Sequence, residues 1–589
     1  MINCGCPRRV GTIREGAMPQ ANADKAFDQL AEKIFESYID LNPIDGTWMG
    51  VHGANDARLP VRSAEAAEKE LSVLQGLVRD LGAFRERELS PERVVELRLA
   101  KGGVTGRIQR LQRRPLWRRC PRCYVDDIVF GVYSLMIRDF APVTKRARAV
   151  LGRLKEGPTH LEGGRQNLEN PSPIFTEAAA LSAHGAIDFL DTTMREFIAS
   201  VPDNRLSGSL DRATSDLRQA MGGFAEWLEG NLMPRSHGDY AVGRAMFERL
   251  LSDEHFLAWT GEELIAAGQR IYQETLREMK RVAARIDPTR PWSKVVQSLK
   301  REHLKENEIL PYFRKDVERA RDFVARNRLA TFPEEEALAV VPTPEFARPM
   351  TPIAAYLPPA PFADSPVGVL WVTTMDRRLD ESHRESLLKE HPRWGTAITA
   401  LHEAYPGRHL QQSRATCKKD RKLRFLFSSN SFAEGWSLYC EKMMAGSGFH
   451  RDDRSRLLQL KDLLWRACGV ILDVELQTGR MGFNEAVTFL VRKAQIERQT
   501  AVAEVRRYCA HPTQPMSYVA GRAQIEELLE DYRAAKGDQF DLRRFHDELL
   551  DHGTIPIELI RFEMGIPRRK QERRGGRRTA AAAGRSTRH

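Results

Sequence analysis

Apolar residues recur at intervals of three and four through most of this 589-residue chain, and helices that bury one face satisfy that rhythm. ADKAFDQLAEKIFESYI (23–39), LLQLKDLLWRACGVILDVEL (457–476) and RAQIEELLEDYRAA (522–535) carry it plainly, and EEALAVV after Pro333 is read the same way. NPSP (170–173), IDPTRPW (286–292) and AHPTQP (510–515) separate helices, because proline lacks the amide donor that a helix interior needs. Residues 340–376 break the pattern. They are proline-rich and end in the β-branched and aromatic run Val367–Thr374, which predicts a hairpin or small sheet. The expected fold is mainly α with one small β element.

The composition, 42% hydrophobic and 29% charged, suits a large buried core. No apolar run reaches the roughly 18 residues that a transmembrane helix needs. The opening MINCGCPRRVGTIREGA lacks a signal-like apolar stretch, so a cytoplasmic protein without membrane attachment is expected. Eight cysteines are too few and too scattered for a disulfide framework. The Cys120–Cys123 pair has no second well-spaced pair to complete a zinc site.

The net charge of +11 is local. Residues 92–122 hold ten Lys/Arg against two acids, and residues 568–589 hold nine against one, so the remaining chain is slightly acidic. The final segment is low-complexity and reads as a disordered tail, and no nucleic-acid-binding motif accompanies the charge. Segment 92–122 is anomalous, with glycines inside a helical pattern and crowded arginines before YVDDIVFGVYSLMIRDFAP resumes an ordinary character. A local reading-frame error and a true basic surface are the two explanations.

TALHEAYPGRHLQQ (399–412) carries the chemistry. Two histidines four apart on one helix converge on a metal, with a glutamate beside the first as base. Here His409 follows His402 by seven residues, ~10 Å along a straight helix, too far for one ion. Pro406 and Gly407 lie between them and let the helix end or bulge, which makes a shared metal feasible. Glu434, 32 residues after His402 in SSNSFAEGWSLYCEKM, is positioned to complete a His-His-Glu zinc set. Alternatively it is a helix-start acid favoured by the macrodipole.

HEAYPGRHLQ followed by FAEGWSLYCE resembles the bacterial family catalogued as domain of unknown function 885, whose members read HExxPGHHxQ and EGWALYxE. The likeness continues through PTPEFARPMTPIAAYLPP (342–359), RACGVILDVEL (466–476), EVRRYCAHPTQPMSYVAGR (504–522) and FHDELLDHGTIPIELI (545–560). It implies one large helical domain over residues 18–566, with the first 17 residues and the tail from 567 outside it, and a gluzincin-like metallopeptidase scaffold. It implies one Zn2+ per chain, His402 as ligand, Glu403 as general base and Glu434 as carboxylate ligand. Where the family has its first PGHH histidine, this chain has Arg408, which donates only and cannot bind zinc. Either His409 takes that place or the site is impaired.

By motif position, Tyr518 and His546 are candidate oxyanion donors, and Arg507 and Tyr508 candidates for holding a substrate carboxylate. Asp473 is a candidate supporting residue, although Gln477 stands where the family often has histidine. The Val367–Thr374 strand is a candidate for edge pairing with an extended peptide. The leading expectation is a zinc peptidase that hydrolyses short peptides with metal-activated water. The alternative is a catalytically impaired relative that binds peptides.

Overall fold

The computed structural model describes residues 20–569 apart from 345–346, 349–350, 352, 365 and 376–379; the first 17 residues and nearly all of the basic tail lie outside the described residues. Helices run from Gln20–Leu41 to Ile557–Glu563 and build nearly the whole molecule. The expected breaks are real: helices end at Asn167, Ile286 and Ala510, and the next begin at Pro173, Trp292 and Gln514.

One expected helix is a strand. EEALAVV supplies β1 (Ala337–Pro342), which joins β2 (Ala354–Leu357) and β3 (Val367–Val372) in a sheet of order β1-β3-β2. β1 pairs parallel with β3 and β2 antiparallel, so that Val340 and Tyr356 both oppose Leu370. Seven residues are too short to hold a helix against prolines on either side, and the β-branched pair Val340–Val341 suits a pleated surface. β3 is therefore central, its residues 368–372 are buried, and it offers no edge to a peptide. β2 forms an edge of the sheet instead.

Leu370 and Val372 pack in one core with Ala400, Leu401, Tyr405 and Trp436, fixing the sheet to the helices that carry the motif. Two helix pairs pack closely along their lengths: Gly261–Ile286 with Asp453–Gln477, and Asn430–Gly446 with Gln514–Lys536. The second pair crosses backbone to backbone. A Cβ on Gly521 would lie 1.7 Å from the Ser431 carbonyl oxygen, and one on Gly435 2.4 Å from the Gly521 carbonyl carbon.

The basic segment folds as the helix Pro91–Arg113 and its short continuation Leu116–Arg119, burying Val94, Val95, Leu97 and Leu99. Its arginines meet acids from elsewhere: Arg98 pairs with Glu86, Arg107 with Glu70, Arg110 with Glu254 and Arg118 with Glu169. No described helix is long and apolar enough to cross a membrane.

Candidate functional site

The helix Thr396–Glu403 delivers His402 and Glu403 on its last turn and ends at Ala404. The Gly407 backbone then presses against the turn just completed: its N–H donates to Leu401 O at 3.1 Å, and a Cβ would fall 1.9 Å from His402 O. Only glycine fits there. Trp436 Nε1 holds Pro406 O at 2.8 Å, and a new helix, Arg408–Thr416, starts at once. The interruption expected from Pro406-Gly407 exists, and it turns Arg408 into a cavity of about 290 Å³ beside His402 and Glu403.

Glu434 and Glu441, two turns apart on one helix, close on the His402 imidazole from its two nitrogens. Nδ1 donates to Glu441 Oε1 at 2.7 Å, while Nε2 lies 3.7 Å from Glu434 Oε2. Burial alone would lower the His402 pKa, but Glu434, Glu441 and Glu403 together push it up to about 9. Arg408 Nη2 forms an ion pair with Glu434, and Arg408 Nε lies 3.5 Å from Glu403 Oε2. Burial would raise the Glu434 carboxyl, yet the Arg408 guanidinium and His402 hold it far below the ordinary range.

A polar chain extends along the wall. Gln514 donates from Nε2 to Glu434 Oε1 at 3.1 Å and accepts from Arg507, which grips Glu504 through two bonds at 3.1 and 2.6 Å. Tyr518 lines the same cavity, its ring centroid 6.2 Å from that of His402. The Arg466 guanidinium lies 4.1 Å over the Tyr518 ring and 4.9 Å over that of Trp465. Ala354 and Ala355 of β2, which packs against the helix bearing His402, also line the cavity.

Residues 43–564 match the family of bacterial proteins of unknown function designated DUF885. The chain belongs to this family. Two solved structures share the DUF885 member's fold. One is a putative lipoprotein of unknown function from Shewanella oneidensis, 23% identical, with a TM-score of 0.74, covering 91% of this chain and 99% of its own. The other is a putative lipoprotein from Colwellia psychrerythraea, 17% identical, with a TM-score of 0.77, covering 93% and 98%. No curated protein matches the chain.

Within this DUF885 member, His402, Glu403, Glu434, Tyr518 and Arg507 come together in the cavity, whereas three expected residues do not. His409 is fully buried, donating from Nε2 to Glu336 Oε2 at 2.8 Å and accepting from Tyr356 at 3.0 Å through Nδ1. It cannot share a cation with His402, because the break advances Arg408, not His409, to the site. His546 donates from Nδ1 to Leu329 O at 2.7 Å and accepts from the Tyr439 hydroxyl at 2.8 Å. Both ring nitrogens are thus engaged in the core, away from the cavity, and burial pulls its pKa down to about 4. Tyr508 is buried and accepts from Trp465 Nε1 at 3.1 Å, beneath the cavity rather than on it.

Asp473 acts at one remove. Its carboxylate accepts from the N–H groups of Thr513 and Met516 at 3.1 and 3.0 Å, fixing the start of the helix that bears Gln514 and Tyr518. Burial pushes it up to about 8 against those two bonds. Gln477, in the position of the family histidine, ties the Tyr508 carbonyl to the Val242 N–H. Glu441, Gln514 and Arg466 escaped the sequence reading. Glu441 lies seven residues after Glu434 on the same helical face, and Arg466 opens RACGVILDVEL, so both were within reach of the motifs.

The donor set does not fit a three-ligand metal centre. His402 Nε2 is buried without a hydrogen-bond partner, and with Glu434 Oε2 it makes two suitable donors. The third group facing them is Arg408, whose guanidinium already neutralises Glu434 and Glu403. Among the described residues no trio of His, Cys, Asp or Glu converges on one metal position.

Proposed function

We propose that this chain is a peptide-binding member of its family in which an internal guanidinium stands in the cation seat, so that short peptides are held without metal-assisted hydrolysis. The observation that carries this reading is the Arg408 ion pair with Glu434, beside an imidazole already committed to Glu441. Carboxylates and guanidiniums line one recess together with β2, which suits a ligand carrying both charges. An extended peptide along the β2 edge, in place of β3, fits the same orientation.

The gluzincin-like hydrolase reading rests on the His402-Glu403 pair, on Glu434 and on Tyr518 as donor. Its weakness is the missing third ligand. Elemental analysis of protein purified without chelator, with mass spectrometry of a peptide-library digest, separates the two. Peptide binding without zinc or cleavage supports the binding reading; one zinc per chain with chelator-sensitive cleavage sinks it. A cytoplasmic location is part of the same proposal, and the lipoprotein names of the two structural relatives weigh against it. Fractionation of cells expressing the full gene decides between cytoplasm and envelope.

A further inference from the structure

We infer that Arg466 anchors the terminal carboxylate of the bound peptide, an inference that rests on the peptide-binding reading. Every other cation on or behind the cavity wall is engaged. Arg408 serves Glu434 and Glu403, Arg507 serves Glu504 and Gln514, and Lys461 contacts Asp462 at 3.0 Å. Arg466, which lines the cavity, makes no hydrogen bond or ion pair among the described residues; it lies over two ring faces and feels the Glu504 charge only beyond ion-pair range. Stacking over Tyr518 and Trp465 fixes the plane of the guanidinium while leaving its edge of N–H donors free, the geometry that takes a carboxylate through two parallel bonds. No Arg466 nitrogen is buried without a partner, so water reaches these donors until a carboxylate takes its place.

Charge narrows the ligand class. The wall carries five carboxylates (Glu403, Glu434, Glu441, Asp462 and Glu504) against three arginines. A dianion would meet net repulsion, whereas a peptide presents one terminal carboxylate and little further negative charge. Distance sets the length. Arg466 lies 4.1 Å from the Tyr518 ring centre, which lies 6.2 Å from that of His402. At roughly 3.4 Å per extended residue, no more than about three residues separate a carboxylate on Arg466 from the imidazole. The site thus reads the carboxyl end of a short peptide, and Arg507, expected from sequence to do so, instead braces Gln514.

Calorimetric titration of the full chain with trialanine and with trialaninamide tests this. Wild type should bind the free acid at least tenfold more tightly than the amide. Arg466→Gln should lose that preference while keeping the amide affinity, and Arg466→Lys should recover part of it. If wild type binds both forms equally, the anchor is overturned while the peptide-binding reading stands; if neither form binds, both fall. Stronger competition by inorganic phosphate than by acetate would overturn the carboxylate assignment. Should Arg466→Gln fail to fold, the acid-to-amide ratio of the wild type remains decisive.

Discussion

A guanidinium and a divalent cation suit the same carboxylates, but they ask opposite things of a neighbouring imidazole. A metal needs the neutral ring, whereas the Glu434–Glu441–Glu403 surround raises His402 to about 9 and keeps it charged at neutral pH. Because that value lies above the ordinary 6.5, the contribution to stability is complete below about pH 6.5 and is lost as pH rises through about 9. Thermal melts between pH 6 and 10 should therefore show a falling Tm, with His402→Gln flattening the fall; the full effect is at most roughly 3 kcal/mol. Arg408→His should replace the internal cation with a third donor beside His402 Nε2 and Glu434. Elemental analysis after zinc loading and desalting should rise from background to about one equivalent. The motif made His402, Glu403 and Glu434 legible and identified Arg408 as the departure. The sequence could not reveal that His409 would bond to Glu336, because that partner lies 73 residues upstream and meets it only through the sheet.

Helices that cross at touching backbones tolerate no added atom, and Gly435 against Gly521 is such a crossing. Glu434 sits beside one glycine and Tyr518 three residues before the other, so this contact sets the distance between the acid and the phenol. Gly521→Ala should cost at least about 3 kcal/mol by urea denaturation, since the new Cβ overlaps a main-chain oxygen that neither helix can withdraw cheaply. It should also weaken trialanine binding, because any relaxation moves Tyr518 from His402. If stability and binding both stay at wild-type values, the crossing does not hold the site. Helix existence was readable from periodicity throughout, but a glycine within a helix signals only reduced propensity, not which backbone approaches it. β1 was misread for a related reason: over seven residues, apolar spacing does not separate a helix from a strand, and the partner that decides the matter is 30 residues downstream.

At the scale of the whole molecule, charge counted along the chain and charge displayed on the surface diverge. Residues 92–122 and the tail carry nearly equal excesses in the sequence, yet Arg98, Arg107, Arg110 and Arg118 of the first are each matched by an acid from another element. Arg568 and Arg569 are likewise paired, with Glu558 and Asp531. Residues 570–589 add seven Lys/Arg against one Glu, more than half of the net +11. Affinity for a polyanion falls with salt in proportion to the number of phosphates neutralised, with a slope of about −0.9 per contact on duplex DNA. If the paired arginines are unavailable, deleting 570–589 should abolish most retention on heparin and flatten the salt dependence of DNA binding, leaving trialanine affinity unchanged. A truncated chain that still binds DNA with a steep salt slope would mean that the helix Pro91–Arg113 releases its acidic partners to nucleic acid, and the basic segment would then be a surface of its own.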